Sequence, residues 1–444
     1  MIITKNRVIK TKIPAPGTLK ILRKLSKIES RSMHGQLPIV WKKAKDYYVY
    51  DIKNNKFIDF TSTIFVTNIG HSNTRLRNYL SRGINSNLFH SYAYMSEVRE
   101  KYLNKLISFA GGNFKKAFLL SAGTEATEAA FKLMRMNGQK ISKRKKVIIS
   151  FEGNWHGRTM GAQLMSGNKS QKKWIGYEDK YIYHIPFPYP WVIDKDKIEN
   201  FTNEVINKLK KKYDLERDIC GIMIETFQGW GAIYYPKKFI QKICKIFKQN
   251  KILITFDEMQ SGFSRTGYNF GYEYYKVKPD LICVGKGMGG GYPISGVIGK
   301  KNVMDLPEIG SMSSTHSANP LSCFAGMAVI DEIREKKLTY EAKKKGKILF
   351  EELLHIKNKH SDIIDYVCGK GLIAGVIFKK EKGINDVLKK VCMECMKNGV
   401  LVVYTGRESI KLGPPITIKI DALKEGLKVI DQSITKIFSK SDKN

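Results

Sequence analysis

Between residues 115 and 300 the chain alternates short, unbroken apolar runs with amphipathic stretches. The runs at 116–120, 147–151, 220–224, 252–256 and 281–284 predict strands, and the patterns at 125–134 and 237–249 predict helices. Strands that are apolar throughout, rather than on alternate residues, need cover on both faces. With helices between them they predict a mostly parallel sheet flanked by helices. Ligands of such sheets bind beyond the carboxyl ends of the strands. Polar residues gather there: the turn Ser121-Ala-Gly-Thr-Glu125, then Glu152, Glu225, Asp257 and Lys286.

From about residue 325 the texture changes. Helical stretches at 322–356 and 384–398 surround short strands at 363–367, 372–378 and 399–403, and 421–438 predicts a last helix. Strand-like segments at 47–50 and 57–60 join this part. The expectation is an α/β chain in which residues 66–321 form a large domain, with a smaller α+β domain built from both termini, 1–65 and 322–444.

Charge complicates the picture. A formal net charge of +36 attracts nucleic acid or anionic membrane by its field alone. The lysines, however, are scattered in pairs and triplets along helix faces and between apolar segments, with no nucleic-acid module beside them. Solvated surface is the expectation, without specific nucleic-acid binding; a basic binding protein on a retained enzyme fold stays open as the alternative. The seven cysteines have no regular spacing, which fits a reduced, cytoplasmic protein. Cys392-Met-Glu-Cys395 lacks a second ligand pair, so no metal centre is expected. Nothing approaches the ~18 apolar residues of a membrane span, and no apolar leader opens the chain.

Lys286 stands among glycines just after one buried strand, and Asp257 ends another. A lysine amine that can form a Schiff base, and a carboxylate that keeps a pyridine nitrogen protonated, are what pyridoxal 5′-phosphate requires of a protein. The small-residue turn at Gly123-Thr124 opens a helix, where backbone N–H groups, a hydroxyl and the helix dipole favour an anion.

Taken in order, Ser121-Ala-Gly-Thr-Glu-Ala-Thr-Glu-Ala-Ala130, Asn154-Trp-His-Gly-Arg-Thr159, Phe256-Asp-Glu-Met-Gln-Ser-Gly-Phe-Ser-Arg-Thr-Gly267, Lys286, Ser314-Thr-His-Ser-Ala-Asn-Pro-Leu321 and Leu412-Gly-Pro-Pro-Ile416 resemble the motifs of the class III aminotransferases, with Gly70-His71 matching an N-terminal Gly-His. The resemblance implies a fold type I enzyme dependent on pyridoxal phosphate, passing an amino group from a donor amine to an oxo acid. It implies Lys286 as Schiff-base lysine and proton shuttle, and Asp257 as partner of the pyridine nitrogen. Gln260 would bond the phenolic oxygen, Gly123 and Thr124 the phosphate, and Trp155 would stack on the ring. Glu225 would lie near cofactor and substrate. His156 reads as structural rather than catalytic, and Arg265 as an anchor of the Asp257 loop. Thr315 would reach the phosphate of a neighbouring subunit, which implies a homodimer, or a dimer of dimers, with shared sites. An aminomutase, epimerase or lyase would use the same cofactor and lysine.

Family members that use glutamate often carry a Gln-Gly-Glu-Gly-Gly segment and an arginine before the Pro-Pro. Here Trp230 stands in the glutamate's place and Lys411 in the arginine's. Lysine attracts a carboxylate as a point charge, without the two-pronged fork. Arg158 remains as a carboxylate clamp. The expected donor is therefore an ω-amino acid, an amine or an amino sugar, and the acceptor pyruvate or 2-oxoglutarate.

Overall fold

The computed structural model describes residues 1–33 and 35–441. Its centre is a seven-stranded sheet in the order Lys116–Leu120, Ser295–Gly299, Leu281–Val284, Leu253–Asp257, Ile219–Glu225, Val147–Phe151, Ile182–Ile185. Only Ser295–Gly299 runs against its neighbours. The four strands from Leu281–Val284 to Val147–Phe151 are buried at every position, as their continuous apolar pattern requires. The helix Gly123–Ile141 crosses one face and seals Leu120, Ile148, Met223 and Cys283 beneath Ala126, Ala130 and Met134. At the crossing Gly221 lies so close that a Cβ would meet Met134 Sδ at 2.3 Å.

Both ends of the chain build the remainder. Trp41–Lys45, Tyr48–Asp51 and Lys56–Asp59 form an antiparallel sheet with the N-terminal residues, and Val400–Leu401 adds to it in parallel beside Ile58 and Asp59. Thr4, Asn6 and Arg7 all bond the carboxylate of Glu425 in the last helix, Ile420–Ser441. Ile364–Lys370, Ile373–Phe378, Ser409–Leu412 and Val403–Tyr404 make a separate four-stranded sheet.

Several elements depart from the sequence reading. The stretch expected as one helix over 322–356 is two, Pro320–Glu335 and Leu338–Lys359, broken where Lys337 adopts a left-handed conformation. The run at 399–403 splits, its halves pairing with different sheets. Ser295–Gly299, Ile182–Ile185 and Ser409–Leu412 are strands that the pattern does not single out. No helix among the described residues is long and apolar enough to cross a membrane. All seven cysteines are free, and all but Cys368 are buried.

Candidate active site

The register of the central sheet brings the candidate residues together. Asp257 and Glu225 are direct partners on adjacent parallel strands, and Cys283 flanks Asp257 on its other side, three residues before Lys286. Three strands thus deliver a carboxylate, a second carboxylate and a lysine to one edge. A cavity of about 190 Å³ opens there, lined among others by Gly123, Thr124, Trp155, His156, Glu225, Asp257, Gln260 and Lys286.

Asp257 is held at both oxygens. Oδ2 is 2.9 Å from His156 Nδ1, and Oδ1 accepts from the Met259 amide at 3.1 Å. His156 is fixed in turn by its own N–H on Ser166 Oγ and by Ser150 Oγ near Nε2. The Nδ1 contact ties His156 to Asp257, which the motif alone did not show. Glu225 accepts from the Trp155 amide at 3.0 Å. Burial, and then the charge of Asp257, push its carboxyl up to about 8. Burial lowers the Lys286 amine below the ordinary lysine value, while Asp257 and Glu225 pull the other way. Lys286 also sits at φ 44, a left-handed conformation unusual outside glycine, enforced by the glycine-rich turn that follows Val284.

The anion end is a helix start. Glu125 folds back to accept from the Ser121 and Ala122 amides, and Thr124 Oγ1 is 2.6 Å from Thr159 Oγ1. Gly157, at φ 142, passes so near that a Cβ would fall 2.3 Å from Thr124 Oγ1. These residues fit pyridoxal phosphate. The buried carboxylate suits a pyridinium nitrogen, the half-buried amine a carbonyl carbon, the helix start a phosphate, and the Trp155 indole a ring face.

Four further candidates do not line the cavity in the single chain. Arg158 is exposed and stacks its guanidinium 4.6 Å from the centre of the Trp155 ring. Thr315 is exposed, its carbonyl accepting from His90 Nε2. Trp230 bonds Gln228 Oε1 through Nε1 at 2.6 Å and carries the Arg407 guanidinium 3.8 Å above its ring. Lys411, expected as a point charge for a substrate carboxylate, instead directs Nζ to Gly229 O at 2.6 Å and Gln260 Oε1 at 3.0 Å. Burial, and then the charge of Lys286, bring its amine down to about 7. Arg265 is fully buried and bonds Asn68, Leu372 O, Pro414 O and Ser62, so it anchors the loop after Asp257. The sequence reading missed Arg407, which has no motif to mark it, and Phe227, Met259 and Ser261 in the cavity wall.

Comparison with known proteins places these features in a family. The family model described as aminotransferase class-III matches residues 30–434. A mitochondrial acetylornithine aminotransferase from Candida glabrata is 31% identical over 88% of each chain. A leucine/methionine racemase from Thermococcus litoralis is 30% identical, covering 90% of this chain and 91% of its own. The acetylornithine aminotransferase structure from Elizabethkingia anophelis superposes with a TM-score of 0.80 at 28% identity, over 94% of this chain and 99% of that one.

Proposed function

The chain belongs to the class III aminotransferases, and from that premise we propose that its donor is an ω-amino acid of the acetylornithine type, with an oxo acid, pyruvate or 2-oxoglutarate, as acceptor. It is a pyridoxal-phosphate-dependent aminotransferase. The observation that carries the donor assignment is Arg158. Its guanidinium lies over the indole that walls the cavity, and it pairs with no carboxylate among the described residues. A donor carboxylate seated there leaves a chain of several atoms to bring a terminal amine inward. A donor whose amine and carboxylate stand well apart can therefore hold Arg158 at one end and enter the cavity with the other.

Pyridoxal phosphate, when bound, supplies the electron sink that acidifies the carbon bearing the donor's nitrogen. The protein's part follows from its own residues. Lys286, its amine made less basic by burial, would take the proton from that carbon and deliver it to the cofactor carbon that carried the aldehyde. Asp257, kept in place by His156, would hold a proton on the ring nitrogen. Gly123 and Thr124 at the helix start hold the phosphate, with Thr315 of a second chain completing that end, so the working form is a homodimer. The exposed apolar segment that carries Leu88, Phe89, Tyr92, Tyr94 and Met95, bonded to the loop of Thr315, supports this reading. The seven free cysteines fit a reducing compartment and support a cytoplasmic location.

The test is a donor panel against the purified holoenzyme. Acetylornithine-type donors, with amine and carboxylate well separated, should outperform glutamate; glutamate as the best donor would overturn the assignment. The racemase relative favours one second reading, racemisation of an amino acid on the same lysine. Loss of optical activity without any oxo acid present would select it.

A further inference from the structure

Gln260 lines the cavity, and an amide side chain has the same shape either way round, so its partners decide which atom faces where. The partner here is Lys411. Its Nζ lies 3.0 Å from Gln260 Oε1 and 2.6 Å from Gly229 O. Nζ lies between two carbonyl oxygens and, charged or neutral, has the N–H groups to donate to both, so the Gln260 atom turned to it is the oxygen. Nε2 is left on the other branch. It donates to no protein atom among the described residues, and it rests so tightly on Gly229 that a Cβ there would meet it at 2.2 Å. Lys411 has little freedom to do otherwise. It is buried on the strand Ser409–Leu412 with the Phe65 ring 4.8 Å from its Nζ, and the charged groups facing it are Lys286 and Glu225.

We propose that Lys411 is a positioning residue: by holding Gln260 Oε1 it presents the Nε2–H group to the phenolic oxygen of the bound cofactor. The proposal rests on reading Gln260 as the cofactor's partner at that oxygen. Without Lys411 the amide is free to turn its oxygen inward, where it would repel the phenolate instead of donating to it. The N–H that Lys411 donates also polarises the amide it holds, strengthening the N–H beyond it. Lysine suits this task because one small donor group reaches two carbonyl oxygens in a closed space. The amine is thereby engaged by the protein itself, which leaves the substrate carboxylate to Arg158.

The experiment is a double-mutant cycle on cofactor affinity. The apoproteins of the wild type, Lys411→Met, Gln260→Ala and the double variant are titrated with pyridoxal phosphate, and quenching of tryptophan fluorescence reports binding. If Lys411 acts through Gln260, each single change weakens binding about tenfold and the double change weakens it little further. Lys411→Arg, which also carries only donors, should recover most of the affinity, while Lys411→Gln should not. If Lys411→Met does not fold, Lys411→Gln takes its place in the cycle. A double variant weakened about a hundredfold, the product of independent effects, overturns the positioning role. Unchanged affinity in Gln260→Ala overturns the reading of Gln260 on which it rests.

Discussion

At Asp257 both carboxylate oxygens are already engaged, one by a histidine and one by a backbone amide, in a place almost without water. Removing the histidine by His156→Phe leaves a buried oxygen unpaired, at a cost of roughly 1–3 kcal/mol in stability. Urea unfolding of the apoprotein reads this, and turnover should fall well beyond tenfold because the carboxylate is no longer aimed. Lys286→Ala should abolish the chromophore that borohydride fixes to the protein; a peptide map placing the fixed cofactor on another lysine would refute the role of Lys286. Lys411 gives a pH test. Folded, its amine stands at about 7, against 10.5 ordinarily. Between those values the unfolded chain binds a proton that the folded protein does not, so the cost of burying this group is greatest below about pH 7 and is relieved as pH rises. The stability of wild type relative to Lys411→Met should therefore climb between about pH 7 and 10, by at most ~1.4 kcal/mol per unit. A flat difference would contradict it. Lys286, Asp257 and Glu225 were legible in the sequence because each follows an apolar run whose end is visible. The Lys411–Gln260 bond was not, since 151 residues separate its partners and no periodicity links them.

Among the elements, the parallel strands were legible for the same reason that they are buried: an apolar run without alternation has no other use. Ser295–Gly299 was not, because Ser-Gly-Val-Ile-Gly has two glycines in five residues and reads as a loop. Its glycines fit the packing, since a Cβ on Gly296 would meet Phe118 O at 2.7 Å. The loop after Asp257 owes its shape to two buried side chains. Glu258 collects hydrogen bonds from Thr226, Ser261 and the Gly271 and Tyr272 amides, and Arg265 spans to Leu372 and Pro414. Arg265→Met keeps the bulk but strands those two carbonyls and the Asn68 oxygen. A loss of about 3 kcal/mol or more is expected in thermal or urea unfolding, with turnover reduced because Gln260 lies on the same loop. A neutral result would show that the loop is held by Glu258 alone.

For the molecule as a whole, the charge of +36 comes from lysines and arginines scattered along the chain. Lysines and arginines are mostly exposed, and many pair with nearby carboxylates, as in Lys101–Glu97 and Lys251–Glu216. DNA binding should thus be weak, indifferent to sequence and lost steeply with added salt. A complex that survives physiological salt and selects one sequence would demand a second role for the surface. The interlacing of the two ends has a consequence in time. Residues 1–60 leave the ribosome well before residues 400–425, yet Val400–Leu401 must pair with Ile58 and Asp59, and Glu425 must bind Thr4, Asn6 and Arg7. At roughly 5–20 residues per second the N-terminal strands wait on the order of 20–70 s for those partners to be synthesised. During translation this sheet keeps an open edge, and the nascent chain, rather than the finished enzyme, is the form most in need of a chaperone.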